Sequence, residues 1–144
     1  DTKAAFDAYA RAFGEDPENE VAQSALSDLA GLDDRWADLA KIYEEAVTKD
    51  LDTSLLKQLL AALAGVYQSR LGSVEQAIAT WNRAVDLDPA DTEPLDALQE
   101  LHMGSQNWPA LLETFRKKVA LEQDPAGRED LRFRIARLQE ELLE

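Results

Sequence analysis

Residues able to bind a metal or move a proton are few: one histidine, His102, no cysteine, and several close groups of acids. Asp86, Asp88, Asp91 and Glu93 have the oxygen-rich spacing from which a calcium loop is built. Pro89 interrupts them, however, and the loop's glycine and closing glutamate are missing, so they read as helix caps. A histidine-based metal site or triad has no second member, and His102 reads as a partly exposed packing residue near a helix end. The pairs Asp33/Asp34 and Glu44/Glu45 fall where solvent-facing charge is expected, and no glycine-rich phosphate loop exists. Trp36, Trp81 and Trp108 could stack on a ligand, but they lie on apolar stripes and read as core. The expectation is a chain without catalytic residues, cofactor or metal: not an enzyme.

The charge is uneven. Residues 1–52 hold 14 acids and 5 bases, residues 53–108 hold 7 and 3, and residues 109–144 hold 8 and 7, for a net charge of −14. Nucleic-acid affinity comes largely from Lys and Arg neutralising phosphates, so the acidic end argues against that partner. The acid excess serves solubility first and the steering of a basic protein or peptide second. No apolar run reaches the length of a membrane span. The chain suits a soluble setting, cytoplasmic or bacterial periplasmic, and the absence of cysteine assigns neither. It begins at Asp1, in the middle of a repeat, and is expected to be a piece of a longer protein.

The elements that would position any site are helices. The aliphatic residues are Leu and Ala more than Val and Ile, with Glu, Gln, Arg and Lys between them, a composition that favours helix throughout. Apolar stripes at helical spacing predict helices over 2–14, from Asp16-Pro17 to about Ala30, over Trp36–Val47, over 54–70, from Val74 to Asp88-Pro89, over 92–103, over 108–122, and from about Arg128 to Leu143. Asp16-Pro17 is expected to end one helix and cap the next. Gly31 is expected to close the second helix and Asp33 or Asp34 to cap the third. The fold class expected is all-α with about eight helices.

These helices recur. Ala5, Tyr9, Arg11, Ala12, Asp16 and Pro17 match Ala77, Trp81, Arg83, Ala84, Asp88 and Pro89, and Trp36 and Tyr43 match Trp108 and Phe115, all at a shift of 72. The aromatics Tyr9, Tyr43, Trp81 and Phe115 step by 34, 38 and 34, the long step falling in the Lys49–Ser54 loop and in an extra residue between Tyr67 and Gly72. A period in the thirties marks stacked helix pairs, none of which can bury its apolar face alone. Alanine at the crossing lets two backbones approach, and the aromatic four residues on fills the gap against the next pair.

The small residue and aromatic four apart (Ala5 with Tyr9, Ala77 with Trp81), the later small residue (Ala12, Ala46, Ala84) and the following proline (Pro17, Pro89) resemble the second helix of a tetratricopeptide repeat. Leu63-Ala64 with Tyr67 is similar to its first helix. Leu39, Leu111 and Lys118 depart from the pattern. The resemblance covers the whole chain as a single array: a half repeat over 1–15, repeats over about 16–52, 53–90 and 91–124, and a last helix over 125–144. It implies a right-handed superhelical α-solenoid of antiparallel pairs and a non-catalytic scaffold that binds a peptide or protein segment on its concave face. The alternative is an architectural or oligomerisation segment of a larger, even enzymatic, protein.

Carried over in register, the concave face should show Ser24 and Asp28, then Ala61, Gly65 and Gln68, then Asp96, Glu100 and Met103, and finally Arg134 and Arg137. Asp28, Asp96 and Glu100 would favour a basic ligand. The Lys/Arg and Asn set with which some members clamp a C-terminal carboxylate is not found at these positions, which argues against that ligand type. The terminal helices lack neighbours, so Phe6, Phe13, Phe133 and Leu143 are expected to be partly uncovered and to allow self-association. Ala77 and Ala84 should sit at close crossings. Ala84→Leu should therefore overpack the site and cost about 1–3 kcal/mol; a thermal melt left unchanged by the substitution would show the register to be wrong.

Overall fold

Short polar and proline-bearing links between Leu- and Ala-rich stripes divide the chain into α1 (Thr2–Glu15), α2 (Glu20–Asp33), α3 (Trp36–Ala46), α4 (Thr53–Gly65), α5 (Val74–Leu87), α6 (Glu93–Gly104), α7 (Trp108–Leu121) and α8 (Pro125–Leu143). The structure is a computed structural model and describes residues 1–143. No strand forms among the described residues, and the fold is all-α. None of these helices is long and apolar enough to cross a membrane. The chain divides into two compact units, residues 1–80 and the residues from Trp81 onward, with α5 running through the division.

In the first unit α1 packs on α2 and α3, and α3 packs on α2 and α4. The core is built from Phe6, Phe13, Leu26, Leu39, Leu59 and Leu63, each with relative exposure of 2% or less. Phe13 meets the edge of Tyr43 at 5.8 Å between ring centroids, a geometry that suits the aromatic quadrupoles. Phe6 and Phe13 are thus buried, against expectation: α1 is covered by two helices, and Arg35 closes over Phe6 with its guanidinium 3.9 Å from the ring centroid. Arg35 is held there by Asp38 Oδ2 at 2.9 Å. In the second unit α6 packs on α7 and α7 on α8, around Leu111, Phe115, Leu131 and Leu138. Here the expectation for the end holds, with Phe133 63% and Leu143 88% exposed. Ala77 and Ala84 are buried.

Several helix ends differ from the expected ones. Asp16-Pro17 ends α1 as expected, the Asp16 N–H donating to the Ala12 carbonyl at 3.0 Å, but it does not cap α2; it opens a β-turn in which the Asn19 N–H donates to the Asp16 carbonyl at 3.0 Å. Aspartate at the first and proline at the second position suit such a turn, which moves the cap to Asn19, whose Oδ1 accepts from the Ala22 N–H at 3.0 Å. Asp88-Pro89 makes the same turn, with the Asp91 N–H donating to the Asp88 carbonyl at 3.1 Å. α2 runs through Gly31 to Asp33, and Asp34, left-handed at φ 52°, ends it, so neither aspartate caps α3. Gly31 stays helical, with the Trp36 ring 3.4 Å from where a Cβ would stand, an ordinary contact. α8 begins at Pro125, one turn before Arg128, because Asp124 Oδ2 accepts from the Gly127 N–H at 3.1 Å.

The helix expected over 54–70 is continuous but changes type. Val66–Arg70 is a π-helical turn, in which the Leu71 N–H reaches five residues back to the Val66 carbonyl at 3.0 Å. The extra residue seen in the repeat spacing is absorbed there, as a one-residue insertion inside a helix commonly is. Gly72, at φ 62°, then reverses the chain into α5. Because Asn19 and not Asp16 caps α2, Asn19→Ala should cost about 1 kcal/mol, whereas Asp16→Ala should cost under about 0.5 kcal/mol. Urea unfolding of the two variants checks the assignment, and the reverse order would overturn it.

Candidate functional site

The three-helix arrangement leaves a groove in each unit. In the first, α2 and α4 flank α3, so the polar side of α2 and the small residues of α4 form walls over a floor from α3. Ser24, Ser27 and Asp28 stand on the α2 wall, opposite the buried stripe of Ala22, Leu26 and Ala30. Leu39 and Tyr43 form the floor, and Ala62, Gly65 and Val66 the other wall. The volume is about 500 Å³. Burial raises the Tyr43 phenol above its ordinary value, opposed by its hydrogen bond with Gln23, so the phenol stays neutral and protonated on the groove floor.

Trp36 and Arg70 also line this groove. The π-helical turn swings Arg70 over the Trp36 ring, 4.5 Å from guanidinium to centroid. Tyr67, on the same turn, anchors it by donating its hydroxyl to Glu44 Oε1 at 2.9 Å.

In the second unit a groove of about 350 Å³ lies between α6 and α8, with Leu111, Phe115 and Leu138 as its apolar lining and Met103, Arg134, Arg137 and Glu141 around them. Beside it is a more polar hollow of about 380 Å³ bordered by Thr92, Asp96, Lys118 and Leu131. Lys118 spans that hollow, 2.8 Å from Asp96 Oδ1 and 2.7 Å from Gln99 Oε1. The lysine that departs from the repeat pattern is thereby accounted for as the partner of the neighbouring helix's acid.

The two grooves occupy equivalent places in the 72-residue recurrence. Leu39 and Leu111, Tyr43 and Phe115, and Val66 and Leu138 are each 72 residues apart, as are Ala62 and Arg134, and Gly65 and Arg137. The floor is kept in kind while the wall changes from two small residues to two bases.

Of the residues expected on a binding face, Ser24, Asp28 and Gly65 come together in the first groove and Met103, Arg134 and Arg137 in the second. Asp96 borders the adjoining hollow and is engaged by Lys118. Gln68 and Glu100 are exposed but line neither groove, and Ala62 lines the wall where Ala61 was expected. The sequence reading missed Trp36, Tyr43 and Arg70 as groove residues; the one signal for Arg70 was the extra residue before Gly72. Trp81 is buried, and Trp108 packs against the α7–α8 core, as expected of core aromatics. His102 is buried, not partly exposed, because α6 turns it inward among Leu98 and Leu101. No family model matches the chain, and no curated protein matches it.

Burial lowers the His102 pKa from 6.5. The folded state therefore takes up the proton less readily than the unfolded chain, so His102 costs stability as pH falls below that value and costs nothing above it. Between about pH 7.5 and 5.5 the parent should lose more stability than His102→Leu. Denaturant titrations at the two pH values check this, and equal losses would mean that burial leaves the imidazole unperturbed.

Proposed function

We propose that this chain is a non-catalytic scaffold of the tetratricopeptide type, a helix-pair array that holds peptide segments of other proteins in its grooves. The observation that carries the reading is the recurrence of one groove in both units, with apolar floor residues of the same kind at a 72-residue spacing. The floor residues are themselves almost wholly buried; what recurs above them is a trough between helices, lined by the same positions in both units. Open troughs of a few hundred Å³ with mixed lining suit an extended or helical peptide better than an enclosed small molecule. A right-handed solenoid belongs to the same proposal; its stacking of successive helices is supported by the packing of α1 on α2, α2 on α3 and α3 on α4 in the first unit, and of α6 on α7 and α7 on α8 in the second.

The first groove carries Glu20 and Asp28 on its α2 wall, which favours a segment with basic residues. Asp96, paired with Lys118, and Glu100, outside the grooves, drop out of that preference. Exposed charges of this kind mainly set association rate and selectivity, and the preference should fade as salt rises. A second reading, self-association through the end of the array, is favoured by Phe133, Leu142 and Leu143, which are exposed on α8.

Gly65 offers a clean test, because a Cβ there would meet nothing within 4 Å. Gly65→Phe should fill the first groove while leaving thermal stability unchanged or higher, since glycine disfavours a helix by about 1 kcal/mol. Basic peptides selected on the parent from an array should lose binding to this variant. Selected peptides that bind Gly65→Phe as well as the parent would show that the first groove is not where they dock.

A further inference from the structure

The groove of the second unit differs from its counterpart in a way that names a ligand. Where the first unit has Ala62 and Gly65, the second has Arg134 and Arg137, over an apolar floor of the same kind. Two bases at wall positions are not what solubility asks of a chain carrying a net −14. Arg134 lies 2.9 Å from Asp130 and Arg137 3.9 Å from Glu141, but both pairs are intrahelical and more than half exposed on every side chain. Such pairs contribute little and open readily, so both guanidiniums are available to an arriving carboxylate. Met103, 46% exposed, supplies an adaptable apolar lip on the facing helix.

We infer that the second unit's groove binds an acidic amphipathic segment of a partner protein. One large apolar side chain of the ligand enters between Met103 and Phe115, and carboxylate side chains on either side of it pair with Arg134 and Arg137. The two arginines are three residues apart on α8, a rise of about 4.5 Å along the helix, so ligand acids one helical turn apart match their spacing. The guanidinium fork binds a carboxylate through paired hydrogen bonds, and the apolar floor beneath keeps water from one side of the contact. The inference rests on the reading of the grooves as peptide sites and gives the second the opposite polarity to the first.

The test is fluorescence anisotropy with a short, labelled, C-terminally amidated peptide carrying a central Leu flanked by Glu one helical turn away, beside its Glu→Gln and Glu→Lys versions. The Glu peptide should bind best, weaken with salt, and lose roughly tenfold or more in affinity to Arg134→Glu/Arg137→Glu. The milder Arg134→Gln/Arg137→Gln should lose part of that affinity, and Lys3→Glu, exposed on α1 and outside both grooves, should lose none. The inference is overturned if the Glu→Lys peptide binds better, if the charge-reversed variant binds the Glu peptide undiminished, or if only a free C-terminal carboxylate is held. It is also overturned if the Glu peptide does not bind and sedimentation shows self-association that the charge reversal abolishes, which would make a second copy the occupant. Retained Gly65-dependent binding of basic peptides alongside any of these failures would leave the first groove's role standing.

Discussion

Everything in this structure depends on helices that cannot bury their apolar sides without neighbours. α3 has 11 residues, at or below the length at which an isolated helix holds in water, yet Leu39, Ala40, Tyr43 and Ala46 are almost wholly covered. The cover comes from α1 and α2 on one side and α4 with its π-helical turn on the other. Alanines at the contacts let the helices approach, and the larger Leu and aromatic residues fill what remains. The same requirement makes the groove: two helices leaning on a third leave a trough between them, with the third helix's buried side chains at its base. Groove and core are thus built by one set of contacts, and α7 repeats the role for the second unit.

The π-helical turn shows how a small departure from the repeat changes the site. An added residue in α4 would rotate everything after it by about 100° if the helix stayed regular. Absorbed at Val66–Arg70, it leaves the buried face of α4 in register and redirects only the last turn. Arg70 then lies on Trp36 and Tyr67 reaches Glu44, so a cation and an aromatic line the first groove at the C-terminal end of this helix. The position equivalent to Arg70 is Leu142, and α8 is regular there. The two grooves therefore differ at this end as well as in their walls.

Much of the fold was legible because period and helix type are local signals. The stripe spacing gave the helices to within a few residues, and the burial of Ala77, Ala84 and Trp81 follows from their place in it. The errors came where local signals compete. Asp-Pro suits both a helix start and a β-turn; here it makes the turn, and Asn19, an equally good cap three residues on, takes the helix start. Phe6 and Phe13 seemed uncovered because a one-dimensional pattern places α1 beside α2 alone, whereas α3 also reaches it. His102 could not be told from an exposed residue by its position near a helix end. For the site, the register placed Ser24, Asp28, Met103, Arg134 and Arg137 at grooves, but the pairing of Asp96 with Lys118 and the reach of Arg70 depend on side-chain geometry that spacing does not contain.

The central claim is that both units use the same trough, floored by α3 in one and α7 in the other, to hold peptide segments. Amide and methyl chemical-shift mapping of the full chain, titrated with one basic and one acidic amphipathic peptide, reads this directly. The account predicts two separate sets of shifts: residues 23–28 and 62–70 for the basic peptide, and Met103, Phe115 and residues 134–138 for the acidic one. Shifts concentrated instead on the exposed stripe of Phe133 and Leu143, or spread over the acidic surface without reaching Tyr43 or Phe115, would contradict it.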